Sequence, residues 1–257
     1  MNYISDIHTH ILYGMDDGAY DLQMSLRLLE MEYDQGVREI FLTNHSWGMD
    51  NNYKKYHTRF EELKAIVSEK FTDLNLYKGC EILGEQDKME AIVRKIRDDI
   101  YPTMNGSKYI LMEFDPDETG GMREIEYCLK FSLDAGFIPI VAHVERYKNL
   151  YDEPYEKPYD KQLSNLQFIK ELGCKVQINL YSVEQDKGSV GSGSRKELAN
   201  LFLRNKLVDF VGTDTHNLYY KSPEAAVGTE AIRRICDKEY ADRILFGNVK
   251  ELIGEVC

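Results

Sequence analysis

Short apolar segments rich in β-branched residues alternate with helical segments along almost the whole chain, and this alternation is its strongest constraint on the fold. Seven segments have the length and composition of strands: Tyr3–Ile7, Glu39–Leu42, Leu74–Ile82, Tyr109–Phe114, Ile138–Ala142, Lys175–Ile178 and Val208–Val211. Six segments between them are predicted helices: Leu22–Asp34, Arg59–Lys70, Lys88–Arg97, Arg123–Asp134, Lys161–Glu171 and Lys196–Asn205. Repeated strand–helix units predict an α/β protein with a parallel sheet.

Composition and length favour one domain over residues 1–257, because no segment resembles an interdomain linker. The net charge of −12 argues against nucleic acid or an anionic membrane as the main partner, and it suits a basic protein partner. No apolar run approaches the roughly 20 residues needed to cross a bilayer, and no signal peptide is expected. Five scattered cysteines without a Cys-x-x-Cys pair predict reduced thiols and a cytoplasmic location.

Residue types that bind metals fall at the carboxyl ends of six of the seven predicted strands: His8, His10, His45, Glu81, Glu113, His143 and His216. In a β/α barrel these strand ends converge on one face, where active sites form. An open sheet would spread the same residues along its edge. Their positions therefore favour a seven-unit β/α barrel with all of them in one crevice.

Such a crevice needs cations, because clustered carboxylates repel one another strongly. His8 and His10 are alternate residues of a strand and face the same side. A single histidine at a strand end is more often a hydrogen-bonded loop residue, but Glu113 lies in an apolar strand where an unpaired carboxylate would be costly. Ligation by His, Asp and Glu without thiolates suits manganese, zinc or iron.

These residues occur in an order that resembles the polymerase-and-histidinol-phosphatase superfamily, whose first motif is Asp-x-His-x-His, here residues 6–10. Within it the chain looks most similar to the bacterial manganese-dependent protein-tyrosine phosphatases of capsule and exopolysaccharide synthesis. Further matching blocks follow in order along nearly the whole chain: Met15–Ala19, Thr43–His45, Gly79–Ile82, Met112–Phe114, Ala142–Tyr147 and Asp214–Asn217.

The resemblance implies a distorted seven-unit β/α barrel with three divalent metal ions, manganese first, with iron and zinc as alternatives. It implies three ligand sets: His8, His10, Glu81 and Asp214; Glu81, Glu113 and His143; and Asp17, His45 and His216. Arg146 matches an arginine near the phosphate. The family's second such arginine has no match after Asp214-Thr215-His216, and Lys221 is the nearest cation. Lysine offers a point charge rather than a bidentate fork.

The expected reaction is direct hydrolysis of a phosphomonoester. Paired metal ions lower the pKa of a bridging water, and the resulting hydroxide would attack phosphorus and displace the tyrosine phenolate. Arg146 would stabilise charge on the phosphate oxygens. A metal-bound water or Asp17 would supply the proton. Trp47, in a segment after His45, is either part of an ordinary surface loop or an aromatic wall for the tyrosine ring.

The predicted substrate is a phosphotyrosine protein, and by analogy the tyrosine-rich tail of a membrane-associated kinase. A histidinol-phosphatase-like enzyme for small phosphomonoesters is the closest alternative. A metal-stabilised binding module without activity is disfavoured by the complete ligand set. An amidohydrolase is disfavoured because no strand carries a metal-bridging lysine. Oligomer formation stays open.

Overall fold

The computed structural model describes residues 3–115, 121–147, 160–184 and 193–254. Its strands are β1 (Ile4–Thr9), β2 (Val37–Leu42), β3 (Asn75–Lys78), β4 (Glu81–Leu83), β5 (Tyr109–Glu113), β6 (Ile138–Val141), β7 (Lys175–Asn179) and β8 (Phe210–Gly212). Every strand pair is parallel. The predicted α/β class with parallel pairing is therefore confirmed.

The helices between the strands are α1 (Leu22–Asp34), α2 (Ser46–Met49), α3 (Tyr53–Lys70), α4 (Met89–Arg97), α5 (Gly121–Asp134), α6 (Asp160–Glu171), α7 (Leu180–Glu184) and α8 (Gly193–Arg204). After β8 come α9 (Ala225–Ile235), α10 (Lys238–Asp242), a π-helical turn (Arg243–Gly247) and α11 (Val249–Ile253). Short 3₁₀ turns occupy Gln86–Lys88, Met104–Gly106 and Val144–Arg146. The six predicted helices are all present. None of the helices described is long and apolar enough to cross a membrane.

The strands form two sheets, a three-stranded one in the order β1-β2-β3 and a five-stranded one in the order β4-β5-β6-β7-β8. The described strands thus number eight, not the predicted seven, because the predicted strand Leu74–Ile82 is divided between the sheets. The Tyr56 hydroxyl lies in this break, 3.1 Å from the carbonyl oxygen of Leu42 and 3.0 Å from that of Gly79. Two sheets of this kind do not amount to the single closed barrel predicted.

Backbone hydrogen bonds connect the two sheets beside the predicted crevice. The amide of His10 donates to the carbonyl oxygen of Thr215, and the amide of Asp214 donates to that of His8, both at 2.8 Å. The amide of Glu81 donates to the carbonyl oxygen of Thr43 at 3.0 Å. The carboxyl ends of β1, β2 and β8 and the first residue of β4 are therefore close neighbours.

A small apolar core lies among the strands, separate from the larger core between strands and helices. Five strands from both sheets each contribute a buried side chain: Ile7, Phe41, Leu111, Ile140 and Phe210. Burying such side chains stabilises the fold by about 1.5–3 kcal/mol each. The helices cover the outer faces; α1 begins where Asp21 accepts the amide of Met24 at 2.8 Å and buries Leu28 and Leu29. This packing holds the strand ends in place.

Candidate metal centre

The structure brings all nine predicted ligand residues into one cluster, which lies at the carboxyl ends of β1, β2, β5, β6 and β8 and at the start of β4. Four groups have candidate ligand atoms within 4.8 Å of one another: His10, Asp17, His45 and His216; His8, Glu81 and His143; His8, His10 and Asp214; and His45, Glu81 and Glu113. Their membership resembles the three ligand sets that the resemblance implies. The groups differ from those sets in three ways: Glu113 groups with His45 and not with His143, His143 groups with His8, and His10 also joins the Asp17 group.

Glu81 is the centre of the cluster and is almost completely buried. Its Oε1 lies 3.2 Å from His8 Nε2 and 2.9 Å from His143 Nε2. Its Oε2 lies 3.1 Å from both His10 Nε2 and His45 Nδ1. Each carboxylate oxygen thus faces two imidazoles, as expected for a carboxylate that bridges two ions.

The facing ring nitrogens fit cations better than hydrogen bonds. His8 Nε2 and His10 Nε2 are 3.3 Å apart. Two nitrogens bound to one ion at 2.0–2.1 Å in tetrahedral geometry would be about 3.4 Å apart. Glu81 Oε2 and His45 Nδ1 are buried and close together, yet neither has a partner with hydrogen-bonding geometry. The donor atoms and their spacing therefore fit divalent ions of the manganese, iron or zinc type.

At two carboxylates of the cluster, Glu81 and Asp214, the surroundings favour the anion, which is the form that binds cations. Burial opposes ionisation of Glu81, but the imidazoles of His8 and His45 outweigh it and hold its pKa well below the usual range. The same balance at Asp214 favours the anion, with Lys221 as the strongest cationic neighbour, so its pKa is also well below the usual range.

Arg146 and Lys221 both contact Asp214. Arg146 Nη1 donates to Asp214 Oδ2 at 2.9 Å, and Lys221 Nζ lies 3.2 Å from the same oxygen. Lys221 Nζ is also 3.4 Å from His216 Nε2. The two cations predicted to bind phosphate therefore lie side by side at one wall of the cluster.

Asp17 and Trp47 lie at the outer rim. The Asp17 side chain is 62% exposed, and its Oδ1 is 3.7 Å from His45 Nε2 and 3.6 Å from His216 Nε2. Trp47 is 55% exposed, and its ring stacks on that of His45 with centroids 5.6 Å apart. Both side chains are thus accessible to a molecule that enters the crevice.

Sequence reasoning missed Asp16, whose side chain is buried next to the exposed Asp17. Asp16 Oδ2 accepts from His10 Nδ1 at 2.7 Å and from the amide of His45 at 2.8 Å. This contact turns the Nε2 atom of His10 towards Glu81. Carboxylates that orient ligand histidines are a regular part of metal sites. The adjacent pair Asp16-Asp17 could have indicated this role. Neighbouring side chains point in different directions, so when one carboxylate binds a metal the other can contact a ligand histidine.

Gln177 and Asn179 of β7 were also missed. Gln177 Oε1 lies 3.2 Å from His8 Nδ1 and accepts the amide of His143 at 2.8 Å. Asn179 Nδ2 donates to Asp214 Oδ2 at 3.1 Å. Polar residues at alternate positions of an apolar strand share one face, and this spacing could have revealed them.

Comparison with known proteins identifies the family of this chain. The profile of the family described as capsular polysaccharide synthesis, CpsB/CapC, matches residues 4–254. The chain belongs to the CpsB/CapC family. This agrees with the resemblance found in the sequence.

Family members align over nearly their whole length. The chain is 32% identical over 251 residues to the tyrosine-protein phosphatase CpsB of Streptococcus agalactiae, covering 96% of this chain and 97% of the relative. It is 28% identical over 247 residues to the tyrosine-protein phosphatase YwqE of Bacillus subtilis, covering 93% and 86%.

A crystal structure is similar as well. It comes from work on YwqE of Bacillus subtilis and CpsB of Streptococcus pneumoniae, described as unique metal-dependent tyrosine phosphatases. It superposes with a TM-score of 0.82 at 25% identity, covering 99% of this chain and 96% of that one.

Proposed function

We propose that this chain is a metal-dependent protein-tyrosine phosphatase. The observation that carries the proposal is the cluster of nine His, Asp and Glu residues at the strand ends, with two cations against one of its carboxylates. Such a site suits a phosphate ester, whose oxygens need positive charge on more than one side. Relatives that cover almost the same length are named as tyrosine phosphatases, which supports phosphotyrosine as the substrate.

Three divalent ions, manganese first, would occupy the centre. In the ligand sets that the resemblance implies, His8, His10, Glu81 and Asp214 would hold one; Glu81, Glu113 and His143 the second; and Asp17, His45 and His216 the third. When bound, such ions bind phosphate oxygens and lower the pKa of a coordinated water. The contacts that support this assignment are those of Glu81, which faces imidazoles on both of its oxygens.

The protein's own side chains would bind and orient the phosphotyrosine. Arg146 would donate N–H groups to one or two phosphate oxygens, and Lys221 would add a second positive charge at the same wall. Trp47, stacked on His45 at the rim, would contact the tyrosine ring. Asp17 lies at the exposed rim and would orient the water molecule that gives its proton to the leaving phenolate.

The same proposal extends to the fold and its setting. The two sheets would form one distorted barrel, supported by the hydrogen bonds between β1 and the segment after β8 and by the shared inner core. The chain would act as one domain in the cytoplasm, as its free cysteines at positions 80, 128, 174 and 236 suggest. Its substrate would be a phosphorylated tyrosine-rich tail of a membrane-associated kinase.

A substrate panel tests the proposal. Phosphate release is measured with manganese on a phosphotyrosine peptide, the matching phosphoserine peptide and histidinol phosphate at equal concentration. We expect the phosphotyrosine peptide to be the best substrate and a chelator to abolish its turnover. Faster hydrolysis of histidinol phosphate would replace the proposal by a small-molecule phosphatase.

A further inference from the structure

A cleft of about 470 Å³ opens beside the metal centre. Arg146 and Lys221 line it, and both also contact Asp214. The cleft is therefore continuous with the place where the phosphate would bind. It is large enough to hold a side chain of a bound peptide in addition to the phosphotyrosine.

The charge of this cleft is opposite to that of the chain. The chain has a net charge of −12, yet three cations line the cleft, Arg146, Lys221 and Arg195, together with one carboxylate, Glu224. Arg195 comes from the first turn of α8, whereas the other two cations follow strands β6 and β8. A group of cations from three parts of an acidic chain attracts anions to this one place.

Two tyrosines form an exposed wall of the same cleft. Tyr219 is 84% exposed and Tyr220 86%. Hydrogen bonds hold the backbone of the turn that carries them: the amide of His216 donates to the carbonyl oxygen of Lys221 at 2.9 Å, and Asn217 Oδ1 accepts the amides of both tyrosines. Exposed aromatic side chains beside a site are typical of surfaces that bind another molecule.

The surface continues beyond the cleft. Tyr219 also lines a groove of about 580 Å³ along α1, together with Tyr20, Met24 and Arg27. A small phosphomonoester would fill only the centre. An extended peptide would reach both the cleft and this groove, so the residues beside its phosphotyrosine would contact them.

We propose that Arg195 is a specificity-determining residue that binds an acidic side chain next to the phosphotyrosine of a peptide substrate. This inference rests on the proposed phosphatase function. Arg146 and Lys221 bind the phosphate, and Arg195, which lines the same cleft, pairs with the neighbouring carboxylate of the peptide. The Tyr219–Tyr220 wall covers the peptide backbone between these two anions.

The test uses three phosphotyrosine peptides that differ only in the residues on both sides of the phosphotyrosine, which are Glu, Gln or Lys. We measure kcat/KM with the manganese-loaded full chain, and affinity with the same peptides carrying a non-hydrolysable phosphonate. The kcat/KM and the affinity for the Glu peptide should exceed those for the Gln peptide by about fivefold, which is the effect expected of an ion pair that stays partly exposed to solvent. The Lys peptide should be the poorest.

Arg195→Glu should reverse this order. Arg204→Glu is the matched control, because it makes the same charge change at the other end of the same helix. Arg204 lies nine residues from Arg195, which is about 14 Å along the helix axis. Arg204→Glu should keep the wild-type preference. Equal values for the Glu and Gln peptides in the wild type, or the same preference in both variants, would overturn the inference. If no peptide is hydrolysed, the phosphatase proposal fails, and the affinities for the phosphonate peptides still decide whether Arg195 selects acidic peptides.

Discussion

Replacing Asp16 by Asn exchanges one carboxylate oxygen for an NH2 group at almost constant volume. In the wild type, Asp16 Oδ2 accepts from His10 Nδ1 at 2.7 Å and from the amide of His45 at 2.8 Å. Oδ1 accepts from Asn44 Nδ2 at 2.7 Å and from the amide of Gly18 at 3.0 Å. Both oxygens therefore face donors, so the NH2 group of the asparagine, itself a donor, would face donors in either orientation of the side chain.

Neighbouring residues cannot relieve this conflict easily. Asn44 cannot simply rotate its amide, because its Nδ2 also donates to the carbonyl oxygen of Leu12 at 3.1 Å. The Asp16 side chain is buried, and although burial opposes its ionisation, His10 holds its pKa below the usual range. The variant thus loses two hydrogen bonds to an anion, and each is worth about 1.5–3 kcal/mol.

The expected result is a misaligned His10 and a weaker metal centre. Loss of an orienting group of this kind typically lowers metal affinity or activity by about 10- to 100-fold. Manganese affinity is measured by calorimetry and turnover by phosphate release from a phosphotyrosine peptide. Asp34→Asn, an exposed site in α1, makes the same charge change as a control. An Asp16→Asn variant within twofold of the wild type in both assays would refute this role of Asp16.

Three further predictions follow from the same geometry. Gly212→Ala should lower the thermal midpoint of unfolding strongly, because the new Cβ would lie 2.6 Å from the Cβ of His8. Gly247→Ala, whose Cβ would have no neighbour nearer than 3.5 Å, should leave the midpoint almost unchanged, and equal shifts in the two variants would contradict this. Lys221→Ala should raise KM for a phosphotyrosine peptide and Lys221→Arg should not, because only the alanine removes the positive charge beside Asp214. Steady-state kinetics on both variants tests this, and an unchanged KM in the alanine variant would exclude a role of Lys221 in phosphate binding. Chelation should lower the thermal midpoint and added manganese should restore it, because ions that bind only the folded chain stabilise it; a midpoint that ignores both treatments would count against a metal centre.

The fold class followed from local pattern, because each strand and helix has its own periodicity and composition. The break between β3 and β4 did not, because Leu74–Ile82 reads as one continuous strand and only Tyr56, from another element, shows where it divides. Hydrogen bonds between distant residues create such breaks, and no local pattern records them.

Ligand types at strand ends could be predicted, but the residues that orient them could not. His8, Glu81 and His143 were recognisable because residues of metal-binding types occur at the ends of six of the seven predicted strands, and because an unpaired carboxylate in an apolar strand would be costly. Gln177 lies 169 positions from His8, and its contact depends on which strands become neighbours. The cleft beside the centre combines residues from three separate parts of the chain, so Arg195 had no signal in the sequence.

The most direct test of a metal-dependent phosphatase is the metal content of the purified chain, measured by mass spectrometry at each point of a manganese titration together with phosphate release from a phosphotyrosine peptide. We predict that activity rises with occupancy, that saturation is reached at three ions per chain, and that His8→Ala binds fewer ions and releases no phosphate. A folded chain that binds no manganese, or one whose phosphate release is the same with and without bound ions, would contradict the assignment.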